Sequence, residues 1–179
     1  MKKTITAAFV SSVLAVSAMT VAHAATSTTV NVIGTVNTAT CDVVANTQSV
    51  NLGNAKPGDF SAINTPVTST KQQFAISLQN CSGAGTGQAQ LKVTGPVSSA
   101  GSSYFSKDSS SVVAISLTDK TNSNEVSNGA LINLGSASAT DSTLNSIQMP
   151  FEVALKSSAI SPKGGVVVEA PLTFSFVYN

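Results

Sequence analysis

The chain has 179 residues with 9 Lys+Arg, 8 Asp+Glu and one His, and it is 42% hydrophobic but only 5% aromatic with no Trp. That length fits one domain and a sizeable core. The sparse, balanced charge contains no Arg, so there is no basic patch to grip phosphate, and no nucleic-acid partner is expected.

Residues 1–24 read as a secretory signal peptide: Lys2 and Lys3, an apolar stretch broken by Ser and Thr from Ile5 to Val21, then the small-x-small site Ala22-His23-Ala24. The apolar stretch falls short of the roughly 20 residues that span a membrane, and a soluble product starting at Ala25 is expected. Cleavage removes His23, the only histidine, along with Lys2 and Lys3. The remaining 155 residues (179 minus 24) then carry seven lysines (9 minus 2) against 8 acids, a net charge of minus one.

Directly after the cleavage site, residues 28–36 alternate with period two. One face carries Thr28, Val30, Val32, Gly34 and Val36, with a glycine where a side chain is expected. The segment reads as a strand with no partner beside it, suited to a neighbouring subunit; the alternative is an ordinary edge strand within its own domain. Cys41 and Cys81 follow, the only cysteines, and in an exported chain an even pair is expected to be bridged. Two buried free thiols are the alternative.

The rest reads as nearly all β. Phe74, Ile76 and Leu78 alternate before Cys81; Leu91 and Val93 mark a short strand; Val113, Ile115 and Leu117 mark another; Ile147, Met149, Phe151, Val153 and Leu155 mark a longer one. Each pairs an apolar face with a polar one, which suits two antiparallel sheets packed face to face. Residues 53–66, 82–88, 98–111, 121–129 and 136–143 are rich in Gly, Ser, Asn and Thr and read as loops. The final strand is expected over residues 166–178, with Val166, Val168, Ala170, Leu172, Phe174, Phe176 and Tyr178 on one face. So apolar a strand belongs inside a sheet, yet no residues follow it to supply the next one.

Enzyme chemistry finds little to work with. A Ser/His/Asp triad is impossible without histidine, no lysine has a serine three residues before it, and zinc would have to bind without His and with both cysteines oxidised. No catalytic residue, metal or cofactor is expected. Gly83-x-Gly85-x-Gly87 opens no helix and reads as a flexible surface loop rather than a phosphate cradle. Asp108, Asp119, Glu125 and Asp141 sit in Ser/Asn/Gly-rich surroundings and read as turn residues.

The alternating arm ending in Val-Ile-Gly-Thr-Val, the spacing from Gly34 to Cys41, the Phe-Ala-Ile-Ser-Leu-Gln-Asn-Cys strand at 74–81, the Leu-Thr-Asp turn at 117–119 and the penultimate Tyr178 together resemble the pilins of chaperone-usher fimbriae, subunits of type 1-like pili of Gram-negative bacteria. The resemblance covers essentially the whole mature chain. It implies an incomplete immunoglobulin-like β-sandwich lacking its last strand, with a groove beside the C-terminal strand that is completed in trans by donor-strand exchange. Residues 25–37 would be the donor extension and 38–179 the pilin domain. A periplasmic chaperone would fill the groove first, and at the outer-membrane usher the arm of the next subunit would replace it. Val30, Val32 and Val36 would enter pockets of the neighbour while Gly34 passes a narrow point, with Leu172, Phe174, Phe176 and Tyr178 on the receiving side. One departure is Val166, fourteenth from the end, where many members carry glycine; here Gly164 and Gly165 come just before it. The function implied is a structural subunit of a cell-surface fimbrium for adhesion or biofilm formation, exported through the periplasm and polymerised with other pilin subunits. The alternative, a secreted lectin-like sandwich or fibre-tip adhesin, is poorly served by Tyr104 and Tyr178 without a tryptophan.

Overall fold

The computed structural model describes residues 39–179. The signal peptide and the arm bearing Thr28, Val30, Val32, Gly34 and Val36 lie outside the described residues. Among the described residues, eight strands form two sheets: β1 (Thr40–Ala45), β2 (Gln72–Ser82), β3 (Ala89–Thr94), β4 (Val113–Asp119), β5 (Asn124–Glu125), β6 (Leu131–Asn133), β7 (Gln148–Ser157) and β8 (Thr173–Tyr178). The first sheet has the order β1-β2-β7-β4-β5 and the second β6-β3-β8, and every neighbouring pair is antiparallel.

Period-two alternation sets which side chains meet between the sheets. In β2, Phe74, Ile76 and Leu78 are buried while Gln73 and Gln79 face solvent. Met149, Phe151 and Val153 do the same for β7, and Ala89, Leu91 and Val93 for β3. Three rings bridge the layers: Phe74 and Phe151 stack with centroids 5.6 Å apart, and Phe174 of β8 lies 5.8 Å from the first and 5.2 Å from the second. The expected disulfide joins Cys41 in β1 to Cys81 in β2, where the register shifts between Thr40 and Asp42.

Several elements differ from the sequence expectation. The final strand begins only at Thr173, so residues 166–172 carry the alternation without forming a strand, and among the described residues β8 is an edge strand paired to β3 alone. The segment 121–129 contains β5, a two-residue hairpin arm against the end of β4. The loop at 136–143 runs into a short helix, α1 (Asp141–Asn145), whose first turn is capped by Thr140 Oγ1 accepting from Thr143 N–H at 3.3 Å.

Candidate functional site

Both sheets end on the same side of the sandwich, β1 on one layer and β8 on the other. These two strands run close together, but beyond Ala45 and before Thr173 the chains part. Asn46 still donates its N–H to Ala75 O at 3.0 Å, and then the chain leaves the sheet. Residues 47–55 form a lip of local turns: Asn51 Oδ1 accepts from Gly53 N–H at 2.8 Å, with Gly53 in the left-handed region at φ 72. The facing lip is 162–172, where Pro162 and Pro171 lack an N–H to donate. The lips share no strand ladder and exchange no backbone hydrogen bond.

Between them lies a groove of about 930 Å³. Its floor is the sandwich interior, with Phe74, Ile76, Ile115, Val153, Leu155 and Phe174 reaching it from both layers. Along the second lip Val168, Ala170 and Leu172 are half-buried while Val167, Glu169 and Pro171 are exposed, so one face keeps strand periodicity with no strand beside it among the described residues. Two features hold this lip. Lys107 N–H donates to Glu169 O at 2.8 Å with an exposed Lys107–Glu169 ion pair alongside, and Gly95 leaves room for Leu172, whose Cδ2 stands 2.9 Å from where a Cβ at Gly95 would lie. The groove therefore has an apolar floor flanked by backbone that belongs to no strand ladder among the described residues. Such an edge accepts an extended chain by hydrogen bonding its main chain and seating alternate side chains.

Of the receiving residues expected from sequence, Leu172 and Phe174 line this groove. Phe176 and Tyr178 continue the same face towards the chain end, their rings stacked at 6.2 Å. Tyr178 Oη accepts from the N–H groups of Gly85 at 2.6 Å and Gly87 at 3.0 Å, which gives the glycine-rich run a docking role beyond that of a flexible surface loop. Val166 is 49% exposed at the groove margin, two positions after Gly164, where an added Cβ would meet Pro57 at ordinary contact distance.

The acidic residues behave mostly as turn residues. Asp108 Oδ1 accepts from Ser110 N–H and Oγ, hydrogen bonds that hold its carboxyl below the usual range against slight burial, and Asp119 Oδ1 accepts from Thr121 N–H. Asp141 reaches further, accepting from Ala84 N–H at 2.8 Å. Glu125 departs from the turn reading: it sits in β5 and pairs with Lys156 of β7. Lys156 is wholly buried, donating to Glu125, to Asn64 Oδ1 at 3.0 Å and to Ser103 Oγ at 2.9 Å, with Nζ 4.0 Å from the Tyr104 ring centroid. Burial, and then the Glu125 charge, push the Tyr104 hydroxyl above its ordinary value. Sequence reasoning missed this cluster, since a lysine on the outer face of an amphipathic strand looks like any solvated one. Among the described residues, no group of three or more His, Cys, Asp or Glu side chains comes together.

Two antiparallel layers of this kind make an immunoglobulin-like sandwich, the fold of pilins. The sequence profile of the fimbrial protein family matches residues 25–179, and the chain belongs to that family: it is a structural pilus subunit. The P pilus rod subunit PapA superposes with a TM-score of 0.55 at 20% identity, over 78% of this chain and 99% of that one. A chain from a chaperone-usher pilus solved to explain rod uncoiling gives 0.51 at 18% identity, over 86% and 96%. The CupB6 tip adhesin from Pseudomonas aeruginosa gives 0.50 at 18% identity, over 69% of this chain but 34% of that longer one. At these identities the likeness is one of fold. No curated protein matches the sequence significantly.

Proposed function

We propose that the subunit polymerises by strand exchange. Residues 25–37 are exposed when the signal peptide, residues 1–24, is removed, and they enter the groove of a neighbouring subunit, whose domain spans 38–179. Thr28, Val30, Val32, Gly34 and Val36 face the floor, and Gly34 crosses a constriction that no Cβ would pass. The observation that carries this reading is the groove itself, an apolar floor between two backbone segments that have no ladder partner among the described residues.

The energetics favour the exchange. Each valine buried contributes about 1.5–3 kcal/mol, and the inserted main chain gains ladder hydrogen bonds on top. An open groove of this size invites aggregation, so a periplasmic chaperone covers it before the outer-membrane usher hands the subunit on. The product is a fimbrium on the bacterial surface, homopolymeric or mixed, serving adhesion or biofilm formation. Its work is non-covalent assembly and involves no catalysis. Direct sugar stacking is disfavoured by the two tyrosines: Tyr104 is 8% exposed and covered by Lys156, and the Tyr178 hydroxyl is occupied by Gly85 and Gly87.

Deleting residues 25–36 from the exported chain tests the reading by electron microscopy of cells making this subunit alone of its kind. The expected result is an exported, chaperone-bound domain with no homopolymeric fibre. Fibres of normal length from the deleted chain would contradict it.

A further inference from the structure

Three large apolar side chains stand exposed together at one pole of the sandwich, outside the groove: Ile63 at 59%, Ile160 at 64% and Val112 at 42%. Backbone bonds tie their segments into one surface, Asn64 N–H to Ser157 O at 2.8 Å, Ser158 N–H to Val112 O at 2.9 Å and Ser161 N–H to Phe60 O at 3.2 Å. Singly exposed apolar residues are ordinary, whereas several on adjoining segments are a candidate contact surface. The described chain begins at the other pole. Thr40 pairs with Ser82 at one end of β2, while Val113 pairs with Ser157 beyond the other end. The 11 residues of β2 put about 33 Å between those ends at the usual strand rise.

Chain direction and length say what covers the patch. Strand β8 runs towards the Cys81 pole, since Tyr178 docks on Gly85 and Gly87, whereas Thr173 lies at the opposite end of its ladder with β3. An arm joining β8 antiparallel, as every other pair in both sheets is joined, runs towards the pole of Ile63 and Ile160 and leaves the groove there. From Val36, the last residue that the strand-exchange reading puts against the floor, only three steps lead to Ala39, the first described residue of the donor. At the usual rise those steps span about 10 Å at full extension. The donor's Cys41 pole is thereby brought against the receiver's apolar pole. That facing surface carries the small residues of 82–87 and 136–140, including exposed Ala137, around the start of α1.

We propose, resting on the strand-exchange reading, that Ile63, Val112 and Ile160 form a second subunit interface, a pole-to-pole seat for the Cys41 end of a second copy. The contact would make the fibre joint stiffer than a single inserted strand and a three-residue tether allow.

Photo-crosslinking in intact fibres tests it, with a benzophenone amino acid placed at Ile160 in one preparation and at Leu172 in another. The Leu172 probe is expected to capture peptides from residues 25–37, and the Ile160 probe peptides from 39–42, 82–87 or 136–145 of another copy. If Leu172 captures the arm while Ile160 captures only other surfaces or nothing, the pole interface is overturned and strand exchange stands. If Leu172 does not capture the arm, the exchange reading falls and the interface with it.

Discussion

The backbone nitrogen of Gly87 lies 3.0 Å from the phenolic oxygen of Tyr178, and the ring fills the space a Cβ at Gly87 would occupy, with Cε1 at 2.5 Å from that position. The penultimate residue is thereby locked to a loop ninety-one positions earlier, at the pole that carries the disulfide. This lock fixes the upper end of β8, the strand whose lower end opens onto the groove.

Gly87→Ala forces the ring or the loop to move, and overpacking of this kind costs about 1–3 kcal/mol. Tyr178→Phe keeps the stacking on Phe176 and removes only the acceptor of two N–H groups, for a loss of about 1 kcal/mol. Urea unfolding of the mature chain checks both, with the alanine variant expected to be the weaker.

The buried lysine predicts an asymmetry. Glu125→Ala leaves Lys156 charged in a site with only neutral partners, Asn64, Ser103 and the Tyr104 ring, and loss of one partner from a buried pair costs about 3 kcal/mol or more. Because Glu125 is 36% exposed, the lower end of that range applies. Lys156→Met removes charge and desolvation together and is expected to change stability by less than about 1 kcal/mol. Equal losses in the two variants, measured by the same urea titration, would contradict the account.

Glu152 is one source of acid sensitivity. Burial raises its pKa, but the hydrogen bond and charge of Lys71, with the charge of Lys120, outweigh that and hold it below its ordinary value of 4.5. A carboxyl depressed in the folded state contributes stability that is complete above its unfolded value and lost as pH falls through the folded one. Melting temperature should therefore hold from neutral pH down to about 4.5 and fall below it, and Glu152→Gln should flatten part of that fall. A variant with the same acid slope as the parent would rule Glu152 out as a source.

Alternation was a faithful guide wherever a strand is buried on one face. Phe74, Ile76 and Leu78 and the Met149, Phe151, Val153 run fold as their spacing indicates, because burial and period coincide there. The same period continues through Val168, Ala170 and Leu172, where it describes a face pointing at the groove although no strand forms. Periodicity reports which side chains turn inward; it does not report whether the backbone has a partner, and Pro171 together with the open edge breaks the strand at Thr173. The Lys156 cluster was illegible for a different reason. Its partners Asn64, Ser103 and Glu125 lie 92, 53 and 31 positions away, and only the tertiary fold, through two loops and strand β5, brings them together. The docking of Tyr178 had a readable signal in part, the repeated glycines at 83, 85 and 87, but nothing local tied them to the chain end.

The most direct measurement is a thermal melt of the chain from residue 37 onward, alone and with a synthetic peptide of residues 25–36. An open sandwich completed by its missing strand should melt at a much higher temperature with the peptide, and a peptide carrying Gly34→Leu should fail to produce the rise. A chain that is already stable alone and indifferent to either peptide would contradict strand exchange and mark the domain as self-sufficient.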